Sequence, residues 1–341
     1  GSVVKIILAT RPLCAIIENV TQLLQHKVWR EQLPRLKEAG LKVVTVILHA
    51  QHAAIPLVRR RAFVFILPNG ARDFITHLVS KMDVLGCDPV YRASVQDCVP
   101  GVLHFYTHRR WQKFPGVWSQ DQPVPAMLTS CLNPPRDDYM DDPHPDDSAA
   151  LPHAVVLDRH SLKLCMGFPF TWRLPPVGEK CNCSVCNGDL ELAATALGNS
   201  VAPPMMTLVI EAVMSWCKSI RVVPTGLDFF CGHGGSGHGA TLGGLEVARA
   251  FDRCPKAVHY YNINASHHHD DPHRNGDYRA IAWGIPVIEY DKAGSMSSVR
   301  VVVGRGRLGV AFKGRPVRYT ESKFRWRAVT RTQARYDDAS P

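Results

Sequence analysis

At 341 residues the chain is long enough for one large domain or two ordinary ones. Its 45% apolar and 21% charged residues are ordinary for a soluble globular protein. No apolar run reads as long enough to span a bilayer and no secretory leader is visible, so no membrane partner is expected and an intracellular location is. The net charge is +10, and between Arg300 and Arg335 eleven Lys/Arg face one acid, Glu321, so this segment alone accounts for the surplus. Phe312, Tyr319, Phe324 and Trp326 are interleaved with the basic residues. That mixture suits a nucleic-acid surface as well as a solvated basic tail.

In chain order, Leu13–Val20 reads as a buried strand and residues 21–39 as an amphipathic helix stopped by Gly40. Leu41–Ala50 is a second strand, and "RRRAFVFILPNG" a third strand with its turn. This alternation predicts a mostly parallel sheet with helices on its faces. From about 71 to 152 the periodicity weakens, Pro, His and Trp become frequent, and "RDDYMDDPHPDD" forms an acidic loop. Regular patterning resumes at "LDRHSLKLCMGFP", then at "LGNSVAPPMMTLVIEAVMSWCKSI", a turn followed by a helix from near Ala202 whose first turn accepts two prolines. A strand closing on Phe229 and Phe230 runs into Gly232, Gly234, Gly235, Gly237 and Gly239, a strand-to-helix turn of the kind that holds nucleotide-like cofactors. A further strand ends near Asp252, where a carboxylate can accept both hydroxyls of a ribose or simply cap the next helix.

Eleven cysteines without paired spacing argue for a reducing compartment. Cys181, Cys183 and Cys186 are the one dense cluster: a weak zinc candidate that Cys165, Cys217 or a histidine could complete, or a cysteine-bearing loop. "HHHDDPHRNGD" offers histidines that are metal ligands or solvent-facing loop residues.

Taken together, the fragments resemble the cytosine-5 DNA methyltransferases over most of residues 3–285. Asp228, Phe230, Gly232, Gly234 and Gly235 match the family's Asp-x-Phe-x-Gly-x-Gly-Gly opening, with Cys231 inside it. Asp252, Ala257 and Asn264 match its next strand and helix, and Asp277 its adenine-contacting acid. "ENV" at Glu18–Val20 resembles the catalytic glutamate motif, and Arg59 and Arg61 match Gln-x-Arg-x-Arg with Leu57 in place of the Gln. Asn199, Ser200 and Val201 lie in "GNSVAPP", which matches the turn beside the cofactor. The motif order is rotated: the glutamate motif comes first and the glycine loop late, as in a circular permutation.

The resemblance implies a Rossmann-like α/β sheet, circularly permuted, with a smaller irregular target-recognition lobe. Residues 1–70 and 157–299 would form the two parts of the catalytic domain, 71–156 the lobe, and 300–341 a basic C-terminal segment. It also implies S-adenosylmethionine as cofactor and double-stranded DNA as partner, with Arg109, Arg110 and Lys113 facing DNA beside Tyr106, Trp111 and Trp118; the tryptophans equally suit a packed core. In the family's chemistry the base is flipped out and a cysteine thiolate adds to C6. Glu18 would serve N3, and Arg59 or Arg61 the base O2 and the phosphate backbone; an ion pair or solvent-facing arginines are the plain alternatives. The nucleophile should follow a proline soon after Asp277, yet no cysteine occurs after Cys254, and Cys14 reads as core. A second polypeptide supplying that loop, loss of catalysis, or a missing segment of chain each account for this, and RNA is an alternative substrate.

Overall fold

The computed structural model describes residues 2–86, 93–106, 116–125, 141–147, 149–183, 191–266, 280–282, 286–290 and 296–301. Arg109, Arg110, Lys113, Trp111, Cys186, the histidines at 267–269, Asp277 and the basic segment beyond Val301 lie outside the described residues. The protein is mixed α/β, built on small sheets.

The N-terminal part runs α1 (Ser2–Thr10), β1 (Ala15–Asn19), α2 (Lys27–Glu38), β2 (Leu41–His49) and β3 (Arg60–Pro68). Helix α2 starts later than its periodicity suggests because the His26 side chain accepts the Val28 N–H and caps it there, leaving a 3-10 turn over Thr21–Gln25. The sheet order is β1-β3-β2, and β3 is antiparallel to both neighbours. Strands β1 and β2 therefore run the same way across α2, as the β-α-β pattern implies, but β3 returns between them. The mostly parallel sheet expected here is thus corrected to an antiparallel one. The cause is the central position of β3: Ala62 to Leu67 are all at most 1% exposed, because both faces are covered. Val64 and Ile66 meet Val4 and Ile7 of α1 and Trp29 and Leu36 of α2. Phe63, Phe65 and Leu67 point into the main core.

That core is completed by α3 (Phe74–Gly86) and, later in the chain, by α5 (Leu192–Asn199) and α6 (Pro203–Ser219), with Phe74, Leu78, Leu197, Met205, Val209, Val213 and Trp216 buried together. The Leu192–Ser219 stretch has the length and apolarity of a membrane crossing. Here it is two helices, broken at Ser200–Ala202 and packed into the core, with Pro203 and Pro204 in the first turn of α6. Between α3 and α5 lie β4 (His104–Tyr106), β5 (Val117–Ser119), β6 (Ala154–Val155) and α4 (Arg159–Cys165). The three short strands form one sheet in the order β5-β4-β6. Phe105 is fully buried, Trp118 packs against the main core, and buried Asp147 accepts the Gly116 N–H at 2.6 Å.

The chain then forms β7 (Thr225–Phe229), α7 (Gly235–Leu242), β8 (Glu246–Asp252), α8 (Pro255–Ser266) and β9 (Ala280–Ala282), with β7, β8 and β9 parallel in that order. A hairpin of β10 (Pro286–Tyr290) and β11 (Met296–Val301) ends the described part.

Lys163 of α4 organises the turn that follows it. It is 1% exposed, and its Nζ donates to the carbonyls of Phe170 (2.6 Å) and Trp172 (2.9 Å). Burial holds its pKa below the ordinary lysine value. Replacing it leaves the buried Trp172 carbonyl and the part-buried Phe170 carbonyl without this donor, and hydrogen bonds to charged groups contribute about 1.5–3 kcal/mol each. Lys163→Met is expected to cost about 3 kcal/mol, read as a lower urea midpoint with unchanged slope.

Candidate functional site

The antiparallel register places the first part of the site. Glu18 on β1 pairs with Phe63 on β3, so Arg61, two residues earlier, is its diagonal neighbour on the same face. Arg61 Nε meets Glu18 Oε1 at 2.9 Å, with both side chains less than one-fifth exposed. Burial raises the Glu18 pKa, and the Arg61 and Arg59 charges only partly oppose this. The carboxyl therefore keeps its proton to a higher pH than an ordinary glutamate.

Arg59 precedes β3 and is 3% exposed. Its Nη1 and Nη2 both donate to the Gly198 carbonyl at 3.1 Å, and Nη2 donates to the Ser200 carbonyl at 2.6 Å. Burial and the neighbouring Arg61 bring its pKa down to about 10, which leaves it charged at neutral pH. The planar fork is thus committed to the backbone at the α5–α6 junction, whereas Arg61 lies against the glutamate. The two arginines, interchangeable in the sequence, have different surroundings in the fold.

The junction in turn carries the glycine helix. A side chain at Gly235 would strike Ser200 Oγ and the Val201 carbonyl, one at Gly239 the Pro203 carbonyl, and one at Gly243 the side chain of Ile210. Glycines four apart therefore form the face of α7 that presses on α6, and Thr207 Oγ1 donates to the Gly239 carbonyl across it. Gly235 and Gly239, read from the sequence as loop glycines, are helix-packing residues, and the i, i+4, i+8 spacing is the signal that could have shown it. The loop conformation itself rests on Phe230, Gly232 and Gly234, all at positive φ (62°, 53° and 104°). A phenylalanine held there costs about 1–3 kcal/mol, and its ring is half exposed. The first turn of α7 has no N-cap side-chain hydrogen bond, and the Gly237 N–H in it donates to Asp228.

Two carboxylates sit under this loop. Asp252, at the end of β8, accepts the Gly232 N–H at 2.9 Å on Oδ2 and the Cys254 N–H at 2.8 Å on Oδ1. Each oxygen retains a further lone pair. Asp228, on β7, accepts from Ser236 Oγ at 2.8 Å. Burial, with the Asp252 charge adding to it, pushes its pKa up to about 7. Ser236, and Tyr261 packed against Gly237 beside Asp228, were not singled out in the sequence; a hydroxyl in the first turn after a strand-end acid was the available cue.

The remaining sequence candidates divide. Cys231 is buried, and burial with the two carboxylates raises its thiol far above the ordinary range, so it is not a thiolate. Cys14 packs against the core with its pKa likewise raised by burial. Ala257 is core, and Asn264 is 2% exposed with its amide exchanging hydrogen bonds with the Arg173 backbone, which docks the segment after α4 onto α8. Cys181 and Cys183 stand beside Cys254 rather than Cys165 or Cys217.

Residues 2–82 match the family described as C-5 cytosine-specific DNA methylase. Similar solved structures include a Dnmt2 methyltransferase of S. pombe, 15% identical, TM-score 0.39, covering 61% of this chain and 68% of that one. An Entamoeba histolytica methyltransferase, EhMeth, is 13% identical, TM-score 0.36, with 61% and 63% covered. A DNA modification methyltransferase described as putative and encoded within an E. coli prophage is 13% identical, TM-score 0.36, with 63% and 72% covered. A search of curated proteins gave no match. The chain resembles the cytosine-5 methyltransferase family.

The Asp228 environment makes a pH signature. Its folded pKa lies above the ordinary 3.8, so the stability it contributes is complete below about 3.8 and is lost as pH rises through about 7. The loss amounts to about 4 kcal/mol at most. Asp228→Asn is expected to remove this slope: compared with wild type by chemical denaturation at pH 5 and pH 8, the variant gains in relative stability at pH 8.

Proposed function

We propose that the protein is a circularly permuted, S-adenosylmethionine-dependent cytosine-5 methyltransferase acting on DNA, on a Rossmann-like sheet whose nucleophile comes from a second polypeptide. The observation that carries this reading is the convergence of segments distant in sequence. Arg59 bonds to the carbonyls of Gly198 and Ser200, Arg61 bonds to Glu18, and Gly235 packs on Ser200 and Val201.

The loop after β7 fits the cofactor by its own chemistry. The uncapped first turn of α7 offers backbone donors to a carboxylate, the left-handed backbone at Gly232 and Gly234 opens the approach, and Asp252 keeps lone pairs for ribose hydroxyls. When bound, S-adenosylmethionine supplies an electrophilic methyl group. The chain's own residues then act on the flipped base. Glu18, with its raised pKa, holds a proton for N3 as electron density builds in the ring, and Arg61 orients that carboxyl and opposes charge on O2. Arg59 is a positioning residue that keeps the Gly198–Val201 turn between base and cofactor.

The thiolate is the part that the reading assigns to a partner. Among the described residues, Cys14 and Cys231 are protonated core thiols. Among the described residues, β1 and β7 are edge strands of two three-stranded sheets. The second reading, a non-catalytic cofactor- and DNA-binding subunit, draws on the same two protonated thiols and on the sequence having no cysteine after Cys254. An RNA substrate would use the same machinery.

Transfer of tritiated methyl groups to mixed-sequence duplex DNA and to tRNA, with the chain alone and together with neighbouring gene products, tests the proposal. Incorporation into DNA at C5 of cytosine only with a partner is expected, and Glu18→Gln should lower the rate about 100-fold or more while leaving cofactor affinity unchanged. Cofactor and salt-sensitive DNA binding without incorporation, and without a trapped adduct on 5-fluorocytosine DNA, would establish the non-catalytic reading instead.

A further inference from the structure

The turn between β8 and α8 carries a second cluster that the methyl-transfer reading does not use. Cys254 stands there, 73 positions along the chain from Cys181, and their Sγ atoms are 3.6 Å apart. Together with Cys183 the three sulfurs lie within 4.8 Å of one another, and none is in a disulfide. Cys181 and Cys254 are buried and Cys183 is half-buried.

A backbone donor faces the cluster: the Ala257 N–H, in the first turn of α8, points at Cys254 Sγ at 3.5 Å. The separation also has a metal's dimensions. With Zn–S bonds of about 2.3 Å, the edge of a ZnS4 tetrahedron is about 3.8 Å. The Cys181–Cys254 distance is close to that edge, and the third sulfur reaches it by a shift of about 1 Å or less. Uncoordinated thiols so near one another gain little from S–H···S contacts.

We propose that Cys181, Cys183 and Cys254 bind a thiophilic divalent cation of the zinc class. The thiols lose their protons on coordination, three for the three ligands, so apparent affinity rises with pH. The fourth tetrahedral position remains for water or a further ligand. The cation fastens the segment after α4 onto the start of α8, where the Glu179–Lys256 ion pair and the Tyr260–Glu179 hydrogen bond already hold it. The same turn presents Asp252, whose Oδ1 accepts the Cys254 N–H, so the metal also stiffens the strand end under the glycine loop. The site stands whatever reaction the protein performs.

The test uses the full chain, reduced and freed of metal by a chelator, titrated with cobalt(II) and then zinc. One cobalt per chain is expected, with thiolate-to-cobalt charge-transfer absorption and the intense d–d bands of tetrahedral coordination, displaced by one equivalent of zinc. Cys254→Ser and Cys181→Ser should abolish the stoichiometric spectrum, and Cys98→Ser should leave it intact. Cys183→Ser, at a half-buried position, should weaken binding at least about tenfold; it decides the matter if the two buried variants do not fold. Absence of a saturable tetrahedral spectrum in the wild type, its persistence in Cys254→Ser or Cys183→Ser, or a Cys181–Cys254 disulfide that survives reduction during purification would each overturn the proposal.

Discussion

One buried guanidinium joins the two parts of the site. Arg59 sits where β3 begins and spends its planar fork on two carbonyls of a turn about 140 residues away in sequence. An arginine buried to this degree must find acceptors or carry a large desolvation cost. The α5–α6 junction offers them because a helix end leaves carbonyls without partners. The two terminal nitrogens are thus satisfied by the turn, while the buried Nε has no hydrogen-bond partner, and the turn is held by the arginine. Gly235 packs directly on the same turn, so the position of the glycine loop is inherited from Arg59.

Around that joint the electrostatics are graded. Burial favours the protonated forms of both Glu18 and Asp228; the arginines partly oppose it at Glu18, and the Asp252 charge adds to it at Asp228. Asp252 has backbone donors on both oxygens instead. The three acids therefore differ in what they can do: a proton holder against a cation, a half-buried acid whose pKa is pushed up to about 7, and an acceptor held in fixed orientation. Cys231, between the last two, is kept as a neutral thiol by the same burial and charge.

Much of the local structure was legible in the sequence. The prolines at the start of α6, the strand ending at Asp252 and the β1-α2-β2 unit follow from residue types and spacing. Strand β3 was recognised as a strand, but its return between β1 and β2 was not, because a continuous apolar run reports burial on both faces and says nothing of direction. Gly235 and Gly239 have one residue type and two available uses, loop freedom and helix contact, and only the facing atoms of α6 distinguish them. Arg59 and Arg61 were paired by motif and separated by neighbours. Cys254 was invisible as a companion of Cys181 because the fold, not the spacing, brings them together. Lys163 was unremarkable as one basic residue in a polar helix until its burial and its two carbonyl partners were seen.

The central claim is that Arg59 sets the position of the Gly198–Val201 turn and, through it, of the glycine loop. Native-state hydrogen exchange on wild type and Arg59→Lys addresses it most directly, since an ammonium cannot bridge both carbonyls with the fork's geometry. Amides in residues 198–207 and in 232–240 are expected to lose protection together in the variant, while β2 and α2 keep theirs. Unchanged protection in the glycine loop, with loss confined to residues next to position 59, would contradict it.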